Sequence, residues 1–244
     1  MADAPRSENP ALPKWLIVAC ALGLVSAPAF AVPIRGSVIA SEAPPSPPPR
    51  SGPPRFYWEE ANGFLPPRPP TIDLERNIAV VLLGTSSGPP PAATFRIQGG
   101  NLMPTTIVAR TGSTLRIDNG DSCDHWLFAD GIASFDPIQT APGNARTIAL
   151  PLQAGHWVIR DRLYAHVVGH LHVVANLVSR GQLTQEGRTA RFEFPDVPAG
   201  RYTLKVFEGE REVRSQNVEV EERAREVTVE PISLTPSRTS GEGR

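Results

Sequence analysis

The 244-residue chain carries 24 Lys and Arg residues against 25 Asp and Glu residues, a formal net charge of -1. A balance this close to neutral, without a run of basic residues, excludes nucleic acid as an expected partner, because such binding needs a basic surface that displaces phosphate counterions. With 27 Pro and only 7% aromatic residues, the composition favours one or two β-rich domains with irregular connections.

Residues 1–31 are expected to be a signal peptide. After Lys14 an apolar run, WLIVACALGLVSAPAFA, ends in the small-x-small pattern that signal peptidase accepts. Cleavage would start the mature chain near Val32 and send it to the periplasm or out of the cell, with no membrane span left. The alternative is an uncleaved N-terminal membrane anchor, because the run approaches the ~20 residues that span a bilayer.

Removal of this leader would also remove Cys20 and leave Cys123 as the single thiol. An exported chain with one Cys forms no internal disulfide. Cys123 is therefore expected to be buried, reactive or a metal ligand.

Two predicted strands flank a Pro-rich segment. The first, VPIRGSVIASE within residues 32–42, alternates apolar and polar side chains, and the second, NIAVVLLG in residues 77–84, is continuously apolar. Residues 43–76 contain repeated Pro, which blocks ladder hydrogen bonds and favours extended polyproline conformation, so a linker or surface loop is predicted. Inside it, the aromatic stretch Phe56–Trp58 either packs back onto a sheet or docks on a partner.

Residues 85–175 are predicted to form a β-sandwich. Short alternating segments separated by turn residues follow one another at the spacing typical of such a fold, and no helical period competes with them. The segments read ATFRIQG, TTIVAR, STLRIDN, ARTIALPL, GHWVIRD and GHLHVVA.

Residues 176–234 are predicted to form a second, smaller β unit. FEF and YTLKVF are strands joined by the tight turn DVPAG. Apolar valines at 218 and 220, then at 227 and 229, predict a final hairpin around a charged turn. Residues 235–244 lack apolar content from Pro236 onward and are expected to be a disordered tail.

In this order the motifs resemble the bacterial exported plastocyanin-like proteins often described as methylamine utilisation proteins, which join a cupredoxin to a carboxypeptidase-regulatory-like β-sandwich. RGSV and AVVLL are similar to two early strands of that family, and LMPTTIVARTGSTLRIDNGD and FDPIQTAPGNARTIAL to its copper module. FEFPDVPAGRYTLKVF is similar to the family pattern FxIxDVPPGxYxLxVW and is the most specific match. The resemblance implies an all-β fold, a cupredoxin-like Greek-key sandwich plus a small transthyretin-like sandwich that also contains the strands of residues 32–42 and 77–84.

The same resemblance implies a copper site of which most ligands are missing. The family places a His after the Asn of its first motif, here His125, and later writes CxxHxxM before a Gly. The stretch DRLYAHVVG matches that second pattern up to Gly169. It puts Asp161 at the Cys position, Tyr164 at the His position and Val167 at the Met position. Type 1 copper requires a soft thiolate together with imidazoles and a weak axial sulfur, so the single remaining imidazole cannot hold it.

A rearranged metal site stays open as an alternative. Cys123 and His125 would share a face of an extended segment, and His166 lies two residues from a lost ligand position. These three donors suit Cu or Zn. Otherwise Cys123 is a shielded small residue and His125 a hydrogen-bonded histidine. His170 and His172 are then expected to face solvent or the neighbouring domain, and His156, which follows a turn Gly, is expected to be ordinary surface.

No motif of an enzyme is present, neither GxSxG nor HExxH nor a phosphate-binding Gly loop. The sequence therefore predicts an exported, non-enzymatic binding or structural protein of the cell envelope with a degenerate copper site and no cofactor. The alternatives are a periplasmic copper carrier or electron-transfer protein using the rearranged site, with copper as its cofactor, and an anchored subunit whose Pro-rich arm docks on an envelope protein. The sequence identifies neither a partner nor an oligomeric state.

Overall fold

The structure, a computed structural model, describes residues 31–40, 73–85, 88 and 92–234. Nearly all of the predicted signal peptide, most of the predicted Pro-rich linker with Phe56–Trp58, and the predicted tail of residues 235–244 lie outside the described residues. Within the described part of the chain, no helix has the length and apolarity needed to cross a membrane.

The described residues form β-strands almost throughout, with one helical turn, which confirms the all-β prediction. The elements are β1 (Val32–Ile39), α1 (Leu74–Asn77), β2 (Ile78–Leu83), β3 (Ala93–Gln98), β4 (Asn101–Met103), β5 (Thr106–Arg110), β6 (Thr114–Asn119), β7 (Leu127–Phe128), β8 (Ala145–Ala149), β9 (Gly155–Asp161), β10 (Val168–Val174), β11 (Leu177–Arg180), β12 (Gln182–Glu186), β13 (Thr189–Val197), β14 (Gly200–Glu208), β15 (Arg211–Val220), β16 (Val227–Thr228) and β17 (Ile232–Ser233).

Four sheets pair face to face into two sandwiches. Sheet A has the order β12-β13-β1-β16 with β17 also beside β1, and sheet B has the order β11-β2-β14-β15. They enclose one apolar core and are called the terminal sandwich. Sheet C has the order β4-β3-β6-β8 and sheet D the order β5-β10-β9-β7. They enclose a second core within residues 93–174 and are called the central sandwich.

A third, smaller apolar cluster joins the two sandwiches. Val81 and Phe207 of sheet B pack there with Val108 of sheet D, and all three are buried. The opposite face of β2 puts Val80 and Leu82 into the core of the terminal sandwich. Strand β2 is thus covered on both faces, which explains its continuously apolar sequence. Each fully buried Val or Leu contributes roughly 1.5–3 kcal/mol relative to an exposed one.

Both N-terminal strands lie in the terminal sandwich. β1 pairs antiparallel with β13, with Ile34 opposite Phe194, and β2 pairs antiparallel with β14, with Val80 opposite Val206. The likeness of this sandwich to a carboxypeptidase-regulatory-like module stays a prediction.

Two local predictions differ from the structure. The expected hairpin between residues 218–220 and 227–229 is wrong: β15 pairs antiparallel with β14, and β16 runs to the other sheet, where it pairs parallel with β1. The long β14 offers β15 a full antiparallel ladder, whereas β16 has two residues. The end of the predicted linker forms α1, because Asp73 caps it by accepting a hydrogen bond from the Arg76 N–H at 3.0 Å.

Candidate functional site

The loop after β6 is held by a buried asparagine. Asn119, 2% exposed, donates through Nδ2 to the carbonyl oxygens of Cys123 at 2.9 Å and Thr140 at 2.8 Å. Its Oδ1 accepts from the Asp121 N–H at 2.9 Å, an Asx-type turn. One side chain therefore fixes the path of residues 120–125 and presents three potential ligand side chains toward one point.

His125 is buried between two carboxylates. The residue is 1% exposed and is held by a two-way backbone bridge to Thr140. Its Nδ1 lies 2.8 Å from Asp161 Oδ2, and its Nε2 lies 3.2 Å from Asp121 Oδ2. A neutral imidazole has one N–H, so only the imidazolium donates to both carboxylates at once. A cation bound at Nε2 would serve in place of the second proton.

Asp161 is the carboxylate at the centre of these contacts. It ends β9 and its side chain has no exposed surface. Oδ1 accepts from the backbone N–H groups of Leu163 at 2.7 Å and Tyr164 at 3.0 Å. Oδ2 accepts from the Trp126 N–H at 3.2 Å in addition to His125. A carboxylate offers about four acceptor positions, and all of them are used by the protein itself.

Asp121 faces His125 from the opposite side of the ring. Its oxygens accept from the N–H groups of Gly99 at 2.5 Å and Gly100 at 2.8 Å, in the turn after β3. Burial acts to raise its pKa, but the two backbone N–H groups together with His125 outweigh burial, and the pKa of Asp121 is lowered. The carboxylate is therefore charged near neutral pH and favours positive charge beside it.

The predicted metal residues come together only in part. Ligand atoms of Asp121, Cys123 and His125 all lie within 4.8 Å of one another, and Cys123 Sγ is 3.6 Å from His125 Nε2. Carboxylate, thiolate and imidazole together suit Zn or Cu. His166 does not belong to this group. His166 is exposed, and its ring lies beside Gly100, with Nε2 3.0 Å from the position that a Cβ on this glycine would occupy.

The family resemblance implies two further ligand positions, a His at 164 and a Met at 167. Tyr164 and Val167 stand there, and neither supplies the imidazole or thioether that copper requires. The Tyr164 ring lies 5.2 Å from the His125 ring, and its pKa is raised chiefly by a side-chain hydrogen bond with Cys123. Val167 is fully buried in the core of the central sandwich. With Asp161 hydrogen-bonded to His125, this donor set does not fit a type 1 copper.

The three remaining histidines form a second cluster, on the outer face of sheet D. His156 is half-buried and lies opposite His172 in the β9–β10 register. His172 is 6% exposed, donates through Nε2 to the Gly209 carbonyl at 2.7 Å and packs on the Phe207 ring at 4.4 Å. The alternative that His172 faces the neighbouring sandwich is thereby confirmed.

Sequence reasoning missed two acidic residues of the first site. In the sequence Asp161 is only the residue at a lost ligand position, because neither its burial nor its contact with His125 is visible there. Asp121 precedes Cys123 and His125 at spacings of two and four, and this regular spacing was the available signal. Asp161 is 36 positions from its partner, and no local pattern connects them.

No family model and no curated protein matches the chain. Solved structures similar to part of it are cupredoxins. A purple cupredoxin from Nitrosopumilus maritimus is 17% identical, over 34% of this chain and 99% of that chain, with a TM-score of 0.30. Amicyanin from Paracoccus versutus is 19% identical, over 40% and 98%, with a TM-score of 0.31. A copper-containing nitrite reductase from Thermus scotoductus is 18% identical, over 39% of this chain and 25% of that chain, with a TM-score of 0.31. These TM-scores are too low to support an argument about function.

Proposed function

We propose that the chain is an exported, non-enzymatic cupredoxin-like binding or structural protein of the cell envelope, in which a carboxylate has replaced the copper site. The observation that carries the proposal is the contact of 2.8 Å between Asp161 Oδ2 and His125 Nδ1. Asp161 stands where the family resemblance calls for a Cys ligand, and its hydrogen bonds are all made within the protein.

A carboxylate satisfied in this way stabilises the fold rather than a metal. Three backbone N–H groups hold Asp161, so its oxygens are fixed against His125 and are not free to turn toward an ion. Removing a charge from such a buried pair is costly, which makes it a structural feature of this end of the sandwich. Export is proposed from the sequence of residues 1–31, with the N-terminal anchor as the alternative.

The test is elemental analysis of protein isolated from its native envelope, with mass spectrometry of the N-terminus on the same sample. We expect no stoichiometric copper and a chain that starts near Val32. Addition of Cu²⁺ to the purified protein is expected to give no intense thiolate-to-copper absorption. One equivalent of copper in the isolated protein contradicts the proposal.

A gain-of-function variant sharpens this test. The double substitution Asp161→Cys and Tyr164→His restores a thiolate and an imidazole on either side of His125. If this is a former copper position, the variant gives the intense absorption with Cu²⁺ that the unsubstituted protein lacks. The single variant Tyr164→His is the matched control and should remain colourless. A colourless, folded double variant contradicts the idea that Asp161 occupies a copper-ligand position.

A second candidate function, a copper carrier or electron-transfer protein, is favoured by the group of Asp121, Cys123 and His125. Here the ion would lie at His125 Nε2, on the side of the ring away from Asp161, and Asp121 would supply negative charge. Replacing His125 with Ala should then abolish tight copper binding. Retention of affinity in that variant removes this candidate.

A further inference from the structure

Three imidazoles share one face of two neighbouring strands in sheet D. His170 and His172 alternate on β10, and His156 projects beside them from β9. The His156 ring lies 5.4 Å from the His170 ring and 4.6 Å from the His172 ring. This face is turned toward the β14–β15 turn of the terminal sandwich, so donors from both sandwiches meet there.

Two of these rings are spaced as ligands of one metal ion. His156 Nε2 and His170 Nδ1 lie 3.2 Å apart and share a hydrogen bond. Two nitrogens bound tetrahedrally to zinc at about 2.0–2.1 Å stand about 3.3 Å apart. Both rings are half-buried, so each can turn until the two lone pairs converge on the ion. The ring that donates the shared hydrogen bond then carries its proton on its other nitrogen, so that both facing nitrogens offer lone pairs to the metal.

The opposite sandwich supplies a carboxylate on a fixed turn. Gly209 donates its N–H to Thr106 Oγ1 at 2.9 Å, and its carbonyl accepts from His172 Nε2. These two bonds clamp the turn over the histidine face. Glu210, the next residue, is exposed, and its charge acts on both His156 and His170. Its negative charge therefore stands beside the two rings, on a turn that is held over the histidine face.

The imidazoles are available in the form that a metal requires. The pKa of His156 is lowered by burial, and the pKa of His170 is lowered by burial and by His156, with Glu210 opposing both shifts. Both rings are therefore neutral near pH 7, and a neutral ring keeps the lone pair that coordinates a metal. The negative charge of Glu210 favours a cation in the same place.

We propose that His156 Nε2 and His170 Nδ1 form a binding site for a divalent transition metal of the zinc class between the two sandwiches, and that the charge of Glu210 favours the cation there. Imidazole is a ligand that suits Zn²⁺, and solvent can complete the coordination. His172 positions the turn through its bond to Gly209 and is not a ligand. The site shares no residue with the group around His125 and does not depend on the proposed function.

The test is calorimetric titration of the full chain with Zn²⁺ at pH 7.5. His170→Gln removes a ligand and should weaken zinc binding at this site by at least about 10–100-fold, the loss typical of outer-shell partners. Glu210→Gln removes a neighbouring charge and should weaken zinc binding less. Cys123→Ser controls for the other group, and His166→Gln is a matched control that removes an exposed histidine. Both controls should leave this binding event unchanged.

Nitrogen NMR of the unsubstituted protein provides a readout that does not depend on folding of the variants. Zinc should shift the ¹⁵N resonances of His156 Nε2 and His170 Nδ1, while the resonances of His166 stay in place. Absence of zinc binding at micromolar concentration overturns the proposal. So does unchanged affinity in His170→Gln, or a loss of equal size in His166→Gln.

Discussion

The substitution Asp161→Ala tests the central contact of the site. In the folded protein it leaves His125 Nδ1 without its closest partner and leaves three backbone N–H groups without an acceptor. Leu163 is exposed and Tyr164 half-buried, so water can replace the carboxylate for their two N–H groups. The unpaired His125 dominates the cost.

Breaking a buried ion pair from one side costs about 3–5 kcal/mol. We therefore expect Asp161→Ala to lower the free energy of unfolding of the central sandwich by that amount. For a sandwich of this size the corresponding decrease in Tm is roughly 15 °C or more. Asp161→Asn should cost less, about 1–2 kcal/mol, because its amide can donate to a neutral His125 and its carbonyl still accepts from the backbone.

The assay is urea unfolding at pH 7 followed by tryptophan fluorescence, to which Trp126 and Trp157 of this sandwich contribute. Asp130→Ala, at an exposed carboxylate, is the matched control and should change stability by no more than about 0.5 kcal/mol. A loss below about 1 kcal/mol in Asp161→Ala refutes the reasoning. Equal losses in the Ala and Asn variants would show that hydrogen bonding is not what holds the site.

Three further predictions concern packing and hydrogen bonds in the two sandwiches. Gly36→Ala should destabilise the terminal sandwich by about 1–3 kcal/mol in the same assay, because the added Cβ would stand 2.3 Å from Cζ of the buried Phe192; a neutral effect would contradict this packing. Tyr202→Phe removes the hydroxyl that donates to the Pro198 carbonyl at 2.8 Å and should cost about 1 kcal/mol, measured as a shift of the urea midpoint. Asn119→Ala removes three hydrogen bonds and should cost about 2–3 kcal/mol and raise the rate at which the Cys123 thiol reacts with a soluble disulfide. An unchanged thiol rate would show that Asn119 does not hold the loop.

The strands could be predicted from the sequence because the alternation of apolar and polar residues within each short segment indicates a strand. In ATFRIQ of β3, every second residue is buried, and the alternation marks both the strand and the face that it turns to the core. The continuous run of β2 was equally informative, since only a strand between two layers has both faces apolar.

Contacts between distant strands carry no such signal. The parallel pairing of β16 with β1 joins segments that are almost 200 positions apart, and charged residues before Val227 suggested an ordinary hairpin turn instead. The contact of Asp161 with His125 depends in the same way on the pairing of β7 with β9, which puts Leu127 opposite Asp161. The sequence alone therefore predicts Cys123 and His125 as site residues but not the carboxylates that face them.

The two histidine groups depend on the two sandwiches differently. Every contact that holds His125 comes from the central sandwich, whereas the His172 bond to Gly209 and the charge of Glu210 come from the terminal one. A ligand at His125 therefore stabilises the central sandwich alone. A cation at His156 and His170 is favoured by the charge of Glu210 when the two sandwiches are docked, and by linkage it stabilises their docked arrangement.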